Sequence, residues 1–216
     1  MMLNHHVSDE LLLSYEAGSL AEGWSLAVAT HLAYCAPCRE RARAAAQVGG
    51  ALLETIGAEP MREDALALAL ARLDAAPPAP VREVKPAVAS NVPAPLRDYI
   101  GNDLDAIAWR NLGTGAKQFL IKTGDGQTSV RLLRIAAGKP VPEHGHRGLE
   151  LTVVLRGTLV DDEDRFGVGD IEEANDAVEH QPRAGEEDEC ICLAVTDAPL
   201  RFKSLIVRLA QPFLKI

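Results

Sequence analysis

The sequence predicts an α+β chain of two domains, a small N-terminal helical bundle followed by a C-terminal β-barrel. Three observations carry this. Apolar residues recur at helical spacing up to about residue 75, prolines crowd the stretch after it, and the periodicity then falls to two. At 216 residues the chain suits two modest cores.

Ser8, Asp9 and Glu10 supply a capping residue and an acidic first turn. Leu11, Leu12 and Tyr15 then give an apolar face up to Gly18, so a first helix is expected over 8–17. Leu26, Ala29, Leu32 and Ala33 place a second over 20–34. Pro37 suits the first turn of a third, rich in Ala, Leu, Arg and Glu over 39–56 and weakened at Gly49 and Gly50. A fourth is expected over 60–74. Its Ala-Leu repeat, residues 65–71, is apolar on nearly every side, more than a small domain can bury alone, so a partner groove or second domain should cover it.

Pro77, Pro78, Pro80, Pro86, Pro93 and Pro95 mark residues 76–95 as an extended linker between a helical domain, 1–75, and a β domain, 96–216. Within the latter, residues 119–122, 129–135, 150–156, 189–195 and 201–209 read as strands, and several short strands without long helices imply a sandwich or barrel. The acidic runs 161–164 and 186–189 read as solvated turns.

The formal charge of −9 argues against direct nucleic-acid binding and favours a basic protein partner. No run approaches the roughly 20 apolar residues of a membrane span, and the first 18 residues lack a basic start and apolar core, so a cytoplasmic protein is expected. Four cysteines in two close pairs suggest metal or redox chemistry in a reducing compartment.

His31, Cys35 and Cys38 place three zinc ligands within eight residues. His31 and Cys35, four apart, share a helix face, and Pro37 turns the chain to bring Cys38 back. Thiolate and imidazole suit tetrahedral zinc, and His6 or His5 is the natural fourth ligand. The bland alternative is an incidental Cys-x-x-Cys; a thioredoxin-like role lacks its βαβ setting. These residues resemble the zinc-binding anti-sigma domain. That likeness implies His6, His31, Cys35 and Cys38 as zinc ligands in a bundle that holds an extracytoplasmic-function sigma factor away from core RNA polymerase.

Farther on, Gly138, His144, His146, Glu150 and Gly157 match the first cupin motif at every defined position. On an extended strand, His144, His146 and Glu150 would face one side, a ligand set for zinc, iron or manganese. The cupin resemblance implies a fourth ligand from a second motif, where His180 is the only later histidine; it follows an expected inter-motif turn at Gly167-Val168-Gly169-Asp170 but lacks the usual Pro-x-Gly-x2-His setting. The alternative is a satisfied polar cluster on a barrel wall. Cys190 and Cys192 share a strand face with Ile191 opposite, either as small core residues or as oxidation-sensitive thiols.

A zinc anti-sigma bundle, a Pro-rich linker and a single cupin, in that order, resemble the ChrR family of anti-sigma factors over essentially the whole chain. The resemblance implies a cytoplasmic transcription regulator, not an enzyme, that sequesters a sigma factor through its helical domain. It would release it under photo-oxidative stress, typified by singlet oxygen, sensed through the cupin as a small-molecule or reactive-oxygen signal. The rival is a metal-dependent cupin enzyme, dioxygenase-like, carrying a helical interaction domain.

Overall fold

In the computed structural model, residues 3–75, 89–162, 164–204 and 211 are described. Four helices come first: α1 (Asp9–Glu16), α2 (Glu22–Tyr34), α3 (Ala36–Glu54) and α4 (Ala65–Ala75). Pro37 does sit in the first turn of α3, and the helix runs unbroken through Gly49 and Gly50. The fourth helix begins at Ala65, five residues later than its composition suggests, since residues 57–62 take no regular structure and 63–64 form a turn.

Twelve strands follow among the described residues. They are β1 (Arg110–Gly113), β2 (Ala116–Ile121), β3 (Ser129–Ile135), β4 (His144–Gly145), β5 (Glu150–Arg156) and β6 (Leu159–Asp161). After these come β7 (Asp164–Phe166), β8 (Ile171–Ala174), β9 (Glu179–His180), β10 (Arg183–Ala184), β11 (Cys190–Thr196) and β12 (Arg201–Phe202). A six-stranded sheet runs β1-β2-β3-β11-β5-β8, and two three-stranded sheets run β10-β6-β7 and β12-β4-β9, all paired antiparallel. The expected strands over 129–135 and 150–156 are present at those bounds. Of the strand expected over 201–209, residues 205–209 lie outside the described residues.

Every residue of β11 is buried, which an antiparallel strand shows only when both sheet faces are covered. On one face Cys190 and Cys192 join Ile135, Val154, Leu159, Phe166 and Ala184 in a core between the sheets. On the other, Ile191, Leu193 and Val195 join Leu151, Val153 and Ile171 in a core shared with Trp24, Ala27, Val28 and Leu32 of α2. That is why α2 is apolar all round: α1 and α3 cover one side and the sheet covers the other.

The helical half is therefore docked directly on the β half. Gly23 makes this approach, since a Cβ there would lie 2.1 Å from Thr128 Oγ1 and 2.6 Å from Val130 Cγ2. Glu22 closes the same edge, accepting from Tyr99 Oη at 2.7 Å and from the Gly124 amide. Of the stretch expected to be linker, 76–88 lie outside the described residues, whereas Val92 is 1% exposed and packs in the shared core.

Candidate metal centres

The first centre forms where α2 ends and α3 begins. His31 and Cys35 are one helical turn apart, and Cys35 is the N-cap of α3, its sulfur accepting from the Cys38 amide at 3.4 Å. His6, on the extended segment before α1, brings Nδ1 to 3.3 Å from Cys35 Sγ and 3.5 Å from Cys38 Sγ. One ligand atom from each of His6, His31, Cys35 and Cys38 lies within 4.8 Å of all the others. His5 is turned away, its ring 4.1 Å from that of Phe166 and its Nδ1 3.7 Å from Asp170 Oδ2.

The donors fit a soft cation. His31 Nδ1 donates to the Gly169 carbonyl oxygen at 2.8 Å, which leaves a lone pair on Nε2, and that buried atom has no hydrogen-bond partner. Burial lowers the His31 pKa to about 4, so the ring is neutral and ligand-competent. Burial, with the neighbouring Cys35, raises the Cys38 thiol, so its thiolate form needs a positive charge beside it. Four N and S donors converging on one point are the set that tetrahedral zinc takes.

The second centre lies inside the β half. His144 on β4, His146 beyond it and His180 on β9 are buried, with His180 Nε2 3.0 Å from His146 Nε2 and 3.2 Å from His144 Nε2. His144 and His180 are direct partners across the β4–β9 pair, which explains why a histidine without the usual second-motif context still reaches the cluster. His144 Nδ1 donates to the Pro142 carbonyl and His180 Nδ1 to Asp161 Oδ2, each at 2.8 Å. Their Nε2 atoms are thereby turned toward each other and toward His146, where a cation could take the place of a proton.

Burial lowers the pKa of both His144 and His146. For His180 burial also works against the charge, but Glu172 and Asp161 outweigh it and raise the pKa to about 9.

The structure changes one expectation here. His144 and Glu150 are not on one strand: β4 pairs in a three-stranded sheet, β5 lies in the six-stranded one, and residues 146–149 carry the chain between them. Strand alternation therefore does not place Glu150. It faces inward as the first residue of β5, with Oε2 3.7 Å from His146 Nδ1 and Oε1 accepting from Thr152 at 3.1 Å, while the tight group is the three imidazoles.

A cavity of about 960 Å³ opens beside this centre, lined by His144, Glu150, Thr152, Glu172, Cys192 and Arg131 among mainly apolar neighbours. All four cysteines are free and buried. Cys192 lines the cavity, and a hydrogen bond with Cys190, then burial, raises its pKa well above the usual thiol value.

Two half-buried acids were not anticipated. Asp161, expected in a solvated turn, instead ends β6 paired with Asp164 of β7, with its carboxylate against His180. Glu172 lies 3.5 Å from the same His180 nitrogen, and Asp161, Glu172 and His180 form a third compact donor group. The sequence Ile171-Glu172-Glu173-Ala174 holds the available signal: on a strand, one of two adjacent glutamates must face inward.

Residues 98–199 match the family described as the ChrR cupin-like domain. Over 218 aligned residues, covering all of both proteins, the chain is 50% identical to the anti-sigma-E factor ChrR of Cereibacter sphaeroides. It also matches a chain in the crystal structure of Rhodobacter sphaeroides SigE in complex with the anti-sigma ChrR. That match has a TM-score of 0.78 and 48% identity over 91% of this chain and 100% of that one.

Proposed function

Because the chain belongs to the ChrR family of anti-sigma factors, we propose that it binds and inhibits an extracytoplasmic-function sigma factor in the cytoplasm. Release would follow singlet oxygen or related oxidative stress sensed through the β domain. The observation that carries the partner reading is a surface. Apart from Leu13, every large apolar side chain exposed among the described residues lies between Val48 and Leu73. Leu66 is 71% and Leu73 72% exposed, and no residue of α4 is buried. Apolar helix faces of this kind are covered by a partner, and the solved complex of a relative with its SigE supplies the kind of partner. No described helix is long and apolar enough to cross a membrane.

In this reading His6, His31, Cys35 and Cys38 hold zinc, which supplies folding energy by tying the segment before α1 to the α2–α3 corner. The chain's part is to keep His31 neutral and oriented and to place Cys35 at a helix start, where amides favour its thiolate. His144, His146, His180 and Glu150 hold zinc, iron or manganese in the β domain, with Asp161 and Glu172 orienting His180. Cys190 and Cys192 are candidate redox targets. As buried thiols they are poor nucleophiles, so the oxidant would be small, neutral and admitted through the cavity that Cys192 lines.

The cavity favours one rival: a metal-dependent cupin enzyme, in which the same donors bind a substrate. Co-expression with an extracytoplasmic-function sigma factor separates the two. A stable complex with loss of sigma-dependent transcription is expected; no complex, together with metal-dependent turnover of a small substrate, would overturn the anti-sigma reading.

A further inference from the structure

The two centres are joined by more than the stretch read as linker. The turn that precedes β8 lies against the helical centre: the Gly169 carbonyl oxygen accepts from His31 Nδ1, and Asp170 Oδ1 accepts from the amides of Asn4 and His5 at 3.0 and 3.1 Å. Those amides immediately precede His6, so Asp170 fixes the backbone that presents a second ligand. Asp170 is 3% exposed, and its other oxygen accepts from the Gly167 amide at 2.8 Å, which holds the turn itself.

Gly169 has φ +93°, and a Cβ there would lie 2.7 Å from Tyr34 Cβ, so only glycine lets the carbonyl come this close to α2. Three residues on, Glu172 of β8 contacts His180 of the β-domain centre, and Glu173, on the opposite face, accepts from the Ser8 amide at 2.7 Å. Residues 169–173 thus touch one ligand of each centre directly and brace a second ligand of the helical one.

We propose that residues 169–173 act as a strut between the two centres, so that ligation of His180 in the β domain sets how firmly the helical centre keeps its metal. Asp170 and Gly169 are positioning residues in this scheme. When His180 is held, Glu172 is held with it, β8 stays in register, and Gly169 and Asp170 keep His31 and His6 in place. When His180 is released, β8 is free to shift, and the ordering it imposes on both helical ligands weakens. A rigid strand with discrete contacts at each end can carry such a bias, whereas a flexible linker cannot. The proposal rests on the reading that both clusters hold metal.

The test uses the full chain loaded with cobalt(II), because thiolate-to-cobalt charge transfer reports on the centre with cysteine donors. The readout is the rate at which excess chelator bleaches that band. Asp170→Ala should accelerate bleaching about tenfold, as losses of groups that orient a ligand do, and Asp170→Asn, which keeps an acceptor for Asn4 and His5, should restore part of the difference. His180→Ala should accelerate it at least about fivefold, with no further acceleration in the Asp170→Ala background. Glu22→Gln, which loosens the interface away from β8, should leave the rate within about twofold of the unaltered chain, well short of a coupling effect.

Absence of the band in the unaltered chain would overturn the metal reading itself. A normal band whose decay ignores His180→Ala, adds independently in the double variant, or responds to Glu22→Gln as strongly as to Asp170→Ala would overturn the strut alone. Should Asp170→Ala fail to fold, Asp170→Asn and His180→Ala decide the matter by the same criteria.

Discussion

Asp161 Oδ2 accepts from His180 Nδ1 at 2.8 Å, and this contact decides which nitrogen of His180 faces the other two imidazoles. Without it the ring is held from that side only by Glu172, 3.5 Å from the same nitrogen. Asp161→Ala should lower metal affinity at the β-domain centre by about 10–100-fold. A competitive chelator titration of the full chain would measure this, and an unchanged affinity would assign Asp161 to packing alone.

How much of this was legible beforehand depended on sequence separation. His31, Cys35 and Cys38 lie within one helical turn and one corner, so spacing alone pointed to three candidate donors that the fold brings together. Strands over 129–135 and 150–156 showed in their apolar content. The docking of α2 on the sheet did not, because contacts such as His31 with Gly169 span 138 residues and leave no periodic trace. The one hint was the all-round apolarity of α2, which a three-helix bundle alone could not cover. Asp161 was misplaced for a related reason: composition marks an acidic turn, but only the pairing of β6 with β7 determines which acid points inward.

Leu66 and Leu70 of α4 are 71% and 51% exposed, so changing either to Glu removes little packing among the described residues. Stability to denaturant should stay within about 0.5 kcal/mol of the unaltered protein, the usual range for surface changes. Sigma binding should weaken by about 2 kcal/mol or more per change if these residues anchor the interface. Undiminished binding of Leu66→Glu and Leu70→Glu together would move the partner surface off α4.

Cys35 serves both as donor and as N-cap of α3. Cys35→Ala should therefore abolish thiolate-held metal and with it sigma binding, while circular dichroism retains the β signal, since the core between the sheets contains no residue of the helical half. Zinc analysis and a pull-down on the same preparation check both. Retained binding without metal would refute a structural role for this centre.

Tyr99 and Glu22 give the interface a signature in alkaline titration. The hydrogen bond to Glu22, helped by burial, raises the Tyr99 pKa to about 12 from its ordinary value near 10. A raised folded-state pKa means that the contact stabilises fully below the unfolded value. Its contribution is then lost as pH climbs between about 10 and 12. Phenolate absorbance should show Tyr99 ionising late, a component that Tyr99→Phe removes and Glu22→Gln shifts back toward the ordinary range. Glu22 is held below the usual carboxylate value by Tyr99 and by the Gly124 amide, so the docked edge should persist as pH falls through the range where free glutamates protonate. A phenolate titration of the Glu22→Gln chain that matches the unaltered one would mean that the helical and β halves do not meet at this edge in solution.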